Sequence, residues 1–270
     1  MRLFDVVIHD TVRTDYTLDT QKGVGGSEFA VIRLANSLRD KGYSVHLQHA
    51  DETKVCKALI VQRYSDFPHM KSDTRVRWLH DLPHYGDYET YGGTNVCQTE
   101  YQAGLFRPYC KDPVVVIPPM LPNEVYEIDR PPRRPGSYLF ASATLKGWDA
   151  TYEKWKQLRQ PGDTLRVMNC GYSKLEQAPD ETVQLLPYLG DTELANVIAA
   201  SSGIFYVNRH PETFGATVAM AEALGTPVYL WTDSGNLWYK ADDPDLRFAN
   251  RESHRISDVL PIWLAQLGLA

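Results

Sequence analysis

The densest group of residues that could do chemistry lies in segment 208–228, where an apolar run is followed by a carboxylate, a glycine and a helix-forming stretch. Glu212 stands shortly before Gly215, and Gly225-Thr-Pro closes the stretch. Peptide N–H groups at the start of a helix favour a diphosphate, because they lack helical partners and the helix dipole is positive there. Glu212 could accept hydrogen bonds from sugar hydroxyls, although a plain loop residue is the alternative. The predicted phosphate contacts are Phe214, Gly215, Ala216 and Thr217.

A glycine-rich loop at 23–28, Gly-Val-Gly-Gly-Ser-Glu, is a second candidate for phosphate binding. It precedes a strong helix pattern, and Gly25 and Gly26 would let the backbone approach a ligand. The match to the dinucleotide-binding pattern Gly-x-Gly-x-x-Gly is imperfect, because Glu28 occupies the third glycine position. No Lys-Ser or Lys-Thr follows, so a P-loop is not indicated either. A flexible loop that binds nothing is the alternative interpretation.

Lys146 is the third candidate, in a segment that leaves a predicted strand at 137–142 and enters a helix. Open α/β folds bind ligands at the carboxyl ends of their strands, and a lysine there can neutralise a departing diphosphate. The alternative is a solvated surface lysine. Ser142 and Thr144 of the same segment are also predicted to contact the diphosphate-bearing ligand.

His80 follows an apolar segment in the run Trp-Leu-His-Asp at 78–81. A lone histidine in such a place is often a buried structural residue, and Asp81 could either orient its ring or cap a turn. Asp10, at the end of the first predicted strand, is a weaker candidate for contact with an acceptor. The tyrosine-rich stretch 85–91 could stack on a sugar or a base, or simply pack on the core.

These residues need strands and helices to position them, and the apolar periodicity supplies both. The helix predicted at 27–41 is followed by Gly42, a suitable C-terminal glycine. Alternation of strands with helix-length segments indicates βαβ units and parallel sheets. Further helices are predicted at 149–159, 193–201, 216–224 and 256–267. Strands are predicted at 6–8, 43–49, 58–62, 75–79, 94–98, 114–117, 137–142, 165–169, 183–187, 204–207 and 228–231.

A proline- and arginine-rich octet at 129–136 interrupts the alternation and predicts an exposed linker, although an ordinary loop is the alternative. We therefore expect an α/β protein of two Rossmann-like lobes with parallel sheets and a cleft between them. The predicted organisation is an N-terminal acceptor-side lobe at 1–130, a donor-binding lobe at 137–255 and a C-terminal amphipathic helix at 256–270.

The composition narrows the class of protein. The net charge of −6 over 270 residues disfavours binding to duplex nucleic acid. The four cysteines are widely spaced and form no Cys-x-x-Cys pair, so neither a zinc site nor a disulfide framework is expected. No run of 18 apolar residues and no signal-peptide pattern occurs, which predicts a soluble, cytoplasmic protein without a transmembrane segment.

Segment 212–228 resembles the donor-binding signature of glycosyltransferase family 4, which reads roughly Glu-x-Phe-Gly, a second acidic residue eight positions after the first, and a Gly-Thr-Pro-Val ending. Ordered matches extend along nearly the whole chain. They are Gly-Gly-Ser-Glu at 25–28, Trp-Leu-His-Asp at 78–81, Val-Ile-Pro-Pro at 116–119, Lys146-Gly147, and Leu189-Gly190 with Glu193-Leu194. The resemblance implies the two-lobed GT-B fold, a nucleotide-sugar donor and retention of anomeric configuration, with Glu212, His80 and Lys146 as catalytic residues.

Two departures from the signature alter nucleotide recognition or reduce activity. The second glutamate, usually credited with holding the ribose, aligns with Met220. Glu222 lies two positions further on, about 200° around the helix, so it cannot simply substitute. The arginine that often precedes the Lys-Gly pair is also missing. The chain is short for the family, which suggests trimmed acceptor loops.

The predicted function is that of a hexosyltransferase-like, metal-independent enzyme that moves a sugar from a UDP- or GDP-sugar to a hydroxyl of a glycan, lipid or protein. No cofactor and no metal are expected, since the nucleotide sugar is a substrate. A non-catalytic GT-B pseudoenzyme that binds a sugar nucleotide or scaffolds a partner is the alternative, and Met220 is its main support. A Rossmann oxidoreductase is disfavoured, because Asp40 lies in a predicted helix rather than at a strand end.

Overall fold

The computed structural model describes residues 3–20, 24–50, 55–63, 70–83, 92–169, 173, 175–208, 211–232 and 254–270. The chain divides into two compact units. The first unit comprises Met1–Thr20, Gly26–Met120 and Ser253–Ala270, and the second comprises Gln21–Gly25 and Leu121–Glu252. Gly23 and the tyrosine-rich stretch 85–91, both singled out in the sequence, lie outside the described residues.

The first unit is built on a six-stranded parallel sheet in the order β2-β1-β3-β4-β5-β6. Its strands are β1 (Leu3–His9), β2 (Val45–Gln48), β3 (Val55–Gln62), β4 (Lys71–Trp78), β5 (Thr94–Cys97) and β6 (Val114–Val116). Its first two helices are α1 (Gly26–Asp40) and α2 (Glu100–Phe106). The central strands are apolar because helices or loops cover both faces of a parallel sheet.

Helix α1 forms where the sequence predicted one. Val31, Leu34, Ala35 and Leu38 recur at helical spacing and are buried against the sheet. Gly42 follows the helix with a φ of 88°, a conformation in which glycine is favoured over residues with a Cβ.

The second unit is built on a five-stranded parallel sheet in the order β11-β10-β7-β8-β9. Its strands are β7 (Arg134–Phe140), β8 (Thr164–Met168), β9 (Val183–Leu186), β10 (Ser201–Asn208) and β11 (Val228–Thr232). Its helices are α3 (Glu124–Glu127), α4 (Trp148–Leu158), α5 (Asp191–Ala199) and α6 (Ala216–Leu224). One continuous apolar core joins the sheet to these helices.

The predicted α/β class with two parallel Rossmann-like sheets is confirmed. Helices α2 and α3 were missed because they have only seven and four residues, about two turns and one turn, too few to repeat an apolar pattern. Strand β7 begins at Arg134, inside the octet predicted to be a linker. Arg130 and Arg133 of that octet donate hydrogen bonds to the carbonyls of Ala223 and Gly225, at the C-terminal end of α6. These arginines therefore complement the negative end of that helix.

The C-terminal helix α7 (Ile256–Gln266) belongs to the first unit, although it follows the second unit in sequence. The buried ring of Trp263 packs edge-on against Trp78 of β4 at a centroid distance of 4.7 Å. The hydroxyl of Tyr43 donates to the Leu269 carbonyl at 2.7 Å. Among the helices that the structure describes, none is long and apolar enough to cross a membrane.

Candidate functional site

The order of strands in the second unit determines where a ligand can bind at the carboxyl ends of its sheet. The chain passes from β7 to β8 and β9 on one side, then returns to β10 and β11 on the other side. Loops leaving β7 and β10 therefore diverge, and open α/β sheets bind ligands in the crevice at such a point. Lys146 follows β7 and Glu212 follows β10, so both predicted catalytic residues of this unit lie at the point of divergence.

Lys146 and Glu212 form a direct contact there. Lys146 Nζ donates a hydrogen bond to Glu212 Oε1 at 3.1 Å. The hydroxyl of Tyr206, in β10, donates to the same oxygen at 2.8 Å. The Glu212 side chain is only 12% exposed, whereas that of Lys146 is 41% exposed. The carboxylate is thus shielded, and the ammonium extends from it towards solvent.

Two glycines in a left-handed conformation shape the loops that carry this pair. Gly147 has a φ of 115° where the 3₁₀ turn Thr144–Lys146 meets α4, and Gly215 has a φ of 86° at the start of α6. A side chain at either position would strain the backbone. The Lys-Gly and Phe-Gly pairs of the sequence therefore have a local structural cause as well as a possible functional one.

The predicted phosphate contacts surround the start of α6. Gly215 is the N-cap residue and Ala216 and Thr217 open the helix, while the ring of Phe214 is buried. Amides in a first helical turn have no carbonyl partner within the helix and can bind an anion. The Thr217 hydroxyl donates to the carbonyl of Ala141 at 2.9 Å, which ties α6 to the loop after β7.

Ser142 and Thr144, also predicted to contact the donor, already have partners inside the unit. Ser142 is buried, with its hydroxyl oxygen 3.4 Å from that of Tyr206. The Thr144 hydroxyl contacts that of Ser173, which also accepts from the Leu145 N–H at 3.1 Å. A donor contact by either side chain would extend or replace these hydrogen bonds.

Glu193, which was matched to the Glu-Leu run of the family pattern, has a local role. Its carboxylate accepts from the N–H of Gly190, directly before α5, at 2.9 Å. This bond satisfies one of the amides that the helix start leaves without a partner. The residue therefore shapes the beginning of α5.

The first unit has a second polar cluster at its own point of divergence, between β1 and β3. Arg63 follows β3 and lies 3.8 Å from Asp10, which follows β1, and 3.4 Å from Asp81, which follows β4. It also pairs with Glu28, near the start of α1. Burial by itself lowers the pKa of Arg63, but the surrounding carboxylates, Glu28 first among them, raise it overall. Arg63 is a buried cation that holds four separate segments together.

Asp10 serves the loop that follows it. Its Oδ1 atom accepts from the N–H groups of Val12 and Arg13 at 3.0 and 3.1 Å. Its Oδ2 atom accepts from the hydroxyl of Tyr16 at 2.9 Å. Burial, and then the charge of Asp10, raise the pKa of that tyrosine. These bonds organise the loop, and Asp10 is buried, so an acceptor could reach this carboxylate only if the loop moved.

His80 is buried in the first unit and both ring nitrogens have glutamine partners. Nε2 lies 2.7 Å from Gln62 Oε1, and Nδ1 lies 2.6 Å from Gln98 Nε2. An amide oxygen only accepts and an amide nitrogen only donates, so this arrangement assigns the ring proton to Nε2. Burial, followed by the charge of Arg63, lowers the pKa of His80 well below its ordinary value. The ring is therefore neutral at pH 7, and contact with a sugar requires a glutamine to move.

The glycine-rich loop leaves its backbone accessible where it enters α1. Within the described ranges, no atom lies within 4 Å of the position that a Cβ would take on Gly26. Val24 and Gly25 belong to the second unit, where the Val24 carbonyl accepts from the Tyr188 hydroxyl at 3.1 Å. The space beside Gly26 could admit a ligand, and contact between this loop and a phosphate stays a prediction.

The structure brings Lys146, Glu212 and Ser142 together in one unit and places His80 and Gly26 in the other. Sequence reasoning missed Tyr206 and Arg63. A tyrosine near the end of an otherwise apolar strand was the available signal for Tyr206. For Arg63, the signal was an arginine directly after a buried strand.

Asp243 and Asp245 are separated by a single residue in the sequence, and such a pair of carboxylates could bind a divalent cation. The prediction of metal independence did not take this pair into account. They fall outside the described residues. Among the residues that the structure describes, no group of three or more His, Cys, Asp or Glu side chains is placed to hold a metal ion.

Comparisons with known proteins show a shared fold. No protein-family model matches the chain, and no curated protein sequence matches it. AviGT4, a glycosyltransferase involved in avilamycin A biosynthesis, superposes with a TM-score of 0.61 at 13% identity, over 98% of this chain and 97% of that chain. Sucrose-phosphate synthase from Thermosynechococcus elongatus has a TM-score of 0.62 at 12% identity, over 98% and 90%. Anabaena HepE in complex with UDP and glucose has a TM-score of 0.56 at 11% identity, over 97% and 95%. The chain therefore has the GT-B fold of these glycosyltransferases.

Proposed function

We propose that the protein is a retaining glycosyltransferase that moves a hexosyl group from a UDP- or GDP-sugar to an acceptor hydroxyl. The observation that carries the proposal is the contact between Lys146 and Glu212 beside the start of α6. This contact lies at the carboxyl ends of β7 and β10, where the loops that follow the two strands diverge. The fold is shared with glycosyltransferases. The resemblance of segment 212–228 to the family 4 signature supports the same assignment.

In the proposed reaction, the bond between the anomeric carbon and the leaving diphosphate oxygen breaks while the acceptor oxygen bonds to that carbon from the same face. The acceptor proton passes to an oxygen of the leaving phosphate. Negative charge grows on the diphosphate, and preorganised donors directed at developing charge are an effective source of rate enhancement. The Lys146 ammonium, the first amides of α6 and the amides of Gly25 and Gly26 supply those donors.

Glu212 and His80 orient the sugar in this proposal. Glu212 accepts hydrogen bonds from sugar hydroxyls, which fixes the ring for attack. His80 is neutral and therefore acts through a hydrogen bond rather than through charge. Phe214, Gly215, Ala216 and Thr217 hold the diphosphate, and Ser142 and Thr144 line the same loop. The reaction proceeds without a metal ion or a further cofactor, in the cytoplasm.

The domain roles follow from this assignment. The first unit, which holds most of the predicted lobe 1–130 together with the terminal helix, supplies the acceptor side. The second unit, which includes most of the predicted lobe 137–255, binds the donor. Glycans, lipids and proteins all carry hydroxyls that such a site could glycosylate.

The proposal is tested by incubating the purified protein with a panel of UDP- and GDP-sugars and following donor hydrolysis and transfer by mass spectrometry. Lys146→Ala is expected to lower turnover at least about 100-fold, since loss of one transition-state donor typically costs that much. Glu212→Ala is expected to lower turnover about 100-fold, because the sugar loses the hydrogen bonds that orient it for attack. Lys156→Ala is the matched control, because Lys156 pairs with Glu153 at 2.6 Å on the exposed face of α4. The anomeric configuration of the product, read by NMR, tests retention.

Two results would contradict the proposal. Wild-type turnover by both site variants would show that the site is assigned wrongly. Binding of a nucleotide sugar, measured by calorimetry, without hydrolysis or transfer under any condition of the panel would refute the enzymatic activity.

A further inference from the structure

Tyr206 connects the two loops of the candidate site in the second unit. Its hydroxyl donates to Glu212 Oε1 at 2.8 Å, the same oxygen that receives Lys146 Nζ at 3.1 Å. The Ser142 hydroxyl lies 3.4 Å away on the other side of the phenol oxygen. The tyrosine thus contacts one residue from each loop and shares an acceptor with a third.

The direction of these hydrogen bonds follows from the chemistry of the groups. An ionised carboxylate only accepts, so the single hydroxyl hydrogen of Tyr206 points to Glu212. The Ser142 hydroxyl must then act as donor to the phenol oxygen. The result is a chain of donors that runs from Ser142 through Tyr206 to the carboxylate. Hydrogen bonds to an ionised acceptor are the strong members of such a chain.

Tyr206 is the rigid member of the group. It lies in β10, between β7 and β11, and its side chain is only 4% exposed. Its ring packs against that of Phe140 at a centroid distance of 6.1 Å. A tyrosine has two side-chain torsions, so little freedom remains once the ring is buried.

The other two members have more freedom. Lys146 is 41% exposed on a flexible four-carbon chain. Glu212 lies in the loop between β10 and α6 and has three side-chain torsions of its own. An exposed ammonium restrains a carboxylate weakly, because it can follow the carboxylate at little cost. The buried phenol therefore restrains Glu212 more than the Lys146 ammonium does.

We propose that Tyr206 is a positioning residue that holds the Glu212 carboxylate, and through it the Lys146 ammonium, in the orientation that receives the transferred sugar. The inference rests on the proposed function for the identity of that sugar. Tyr206 acts through Glu212 and does not itself touch the reacting atoms.

The phenol oxygen can be removed with little change to the packing. Tyr206→Phe keeps the ring against Phe140 and deletes only the hydrogen bond. A charge-assisted hydrogen bond corresponds to about a 10- to 100-fold effect, and we expect kcat to fall by that factor. The affinity for UDP, which lacks the sugar, stays within about twofold of wild type. The affinity for UDP-glucose falls, so the ratio of the two dissociation constants changes.

The experiment compares wild type, Tyr206→Phe, Glu212→Ala and the double variant by steady-state kinetics and by calorimetry. The calorimetric ligands are UDP and UDP-glucose, or GDP and the active GDP-sugar if the panel selects GDP. Alanine is used at position 212 because a glutamine oxygen would still accept from the Tyr206 hydroxyl. Tyr138→Phe is the matched control, because Tyr138 lies in β7 of the same sheet and its ring packs against other aromatic rings. If Tyr206 acts through Glu212, Tyr206→Phe changes the kcat of the Glu212→Ala protein by less than about threefold.

The outcomes separate this inference from the proposed function. Additive losses in the double variant, or a Tyr206→Phe protein with wild-type kcat and a wild-type ratio of affinities, overturn the positioning role while the transferase activity stands. If the wild type shows no turnover but Tyr206→Phe still lowers the affinity for UDP-glucose more than the affinity for UDP, the positioning role is supported and the activity is refuted. A wild type that binds neither UDP nor GDP, and none of the UDP- and GDP-sugars of the panel, refutes both.

Discussion

Replacement of Arg63 by methionine is expected to destabilise the first unit strongly. The Arg63 side chain is 10% exposed and that of Glu28 only 2%. Methionine fills a similar volume but leaves Glu28 and Asp10 without their buried counter-charge. Removing one partner of a buried ion pair costs about 3–5 kcal/mol, much more than the net value of the pair.

The backbone adds a second, separable contribution. Arg63 has a φ of 53°, a left-handed conformation that costs a non-glycine residue roughly 1–2 kcal/mol. Methionine retains this strain, whereas Arg63→Gly relieves it while deleting the same charge. Glycine also deletes a buried side chain, and the cavity costs about 2–5 kcal/mol, more than the roughly 1–2 kcal/mol of relieved strain. The glycine variant should therefore be less stable than the methionine variant by roughly 1–3 kcal/mol.

The assay is urea unfolding followed by circular dichroism, with thermal unfolding as a check. A loss of 3–5 kcal/mol lowers the midpoint temperature by roughly 6–20 °C in a protein of this size. The double variant Arg63→Met with Glu28→Gln is the control, because it removes a buried charge together with its partner. It should recover about 1–3 kcal/mol. A loss below about 1 kcal/mol in Arg63→Met, or no recovery in the double variant, would refute the reasoning.

Three further predictions concern single positions. Met220→Glu should cost about 3 kcal/mol or more in urea unfolding, because residue 220 is only 4% exposed and lies within the apolar core. The pKa of Asp5 is lowered from 3.8 to about 2, mainly by its hydrogen bond with Lys57. The ionised Asp5 therefore stabilises the fold above about pH 4, and this contribution is lost as the pH falls towards 2. Asp5→Asn should therefore make the midpoint of unfolding depend less on pH over that range. Trp263→Ala should cost about 3–5 kcal/mol in thermal unfolding and free α7 from Trp78.

Each of these predictions has a matched control. Met220→Leu keeps the volume and should cost less than about 1.5 kcal/mol, so equal losses from both substitutions would argue against a charge effect. Asp19→Asn changes an exposed carboxylate, and an Asp5→Asn protein with the same pH profile as that control contradicts the second prediction. Ile262→Ala changes an exposed neighbour of Trp263 and should be nearly neutral.

The low exposure of Met220 also bears on nucleotide recognition. In the family 4 signature a glutamate occupies this position, but here the side chain is part of the apolar core of the second unit. Restoring the glutamate would bury a carboxylate rather than present it to a ribose. Under the proposed function, recognition of the nucleoside therefore has to come from other groups.

The secondary structure and the α/β class could be predicted from the sequence because both follow from local periodicity. Apolar residues at helical spacing predicted α1, and short apolar runs bounded by turn residues predicted the strands. Glycine positions were also readable, since Gly147 and Gly215 adopt conformations that other residues avoid. Lys146 and Glu212 could be named as candidates for the same reason, since Lys146 directly precedes Gly147 and Glu212 lies three residues before Gly215.

The contact between these candidates depends on the order of strands in the sheet, which cannot be predicted from a local sequence pattern. Lys146 and Glu212 are 66 residues apart, and they meet because β10 lies next to β7 in the sheet. The same adjacency brings the Tyr206 hydroxyl to Glu212. Arg63 joins carboxylates from three other segments of the chain, and α7 belongs to the first unit although most of the second unit precedes it in sequence. Such contacts arise from long-range packing, so only the tertiary structure could show that Tyr206 and Arg63 organise the two clusters.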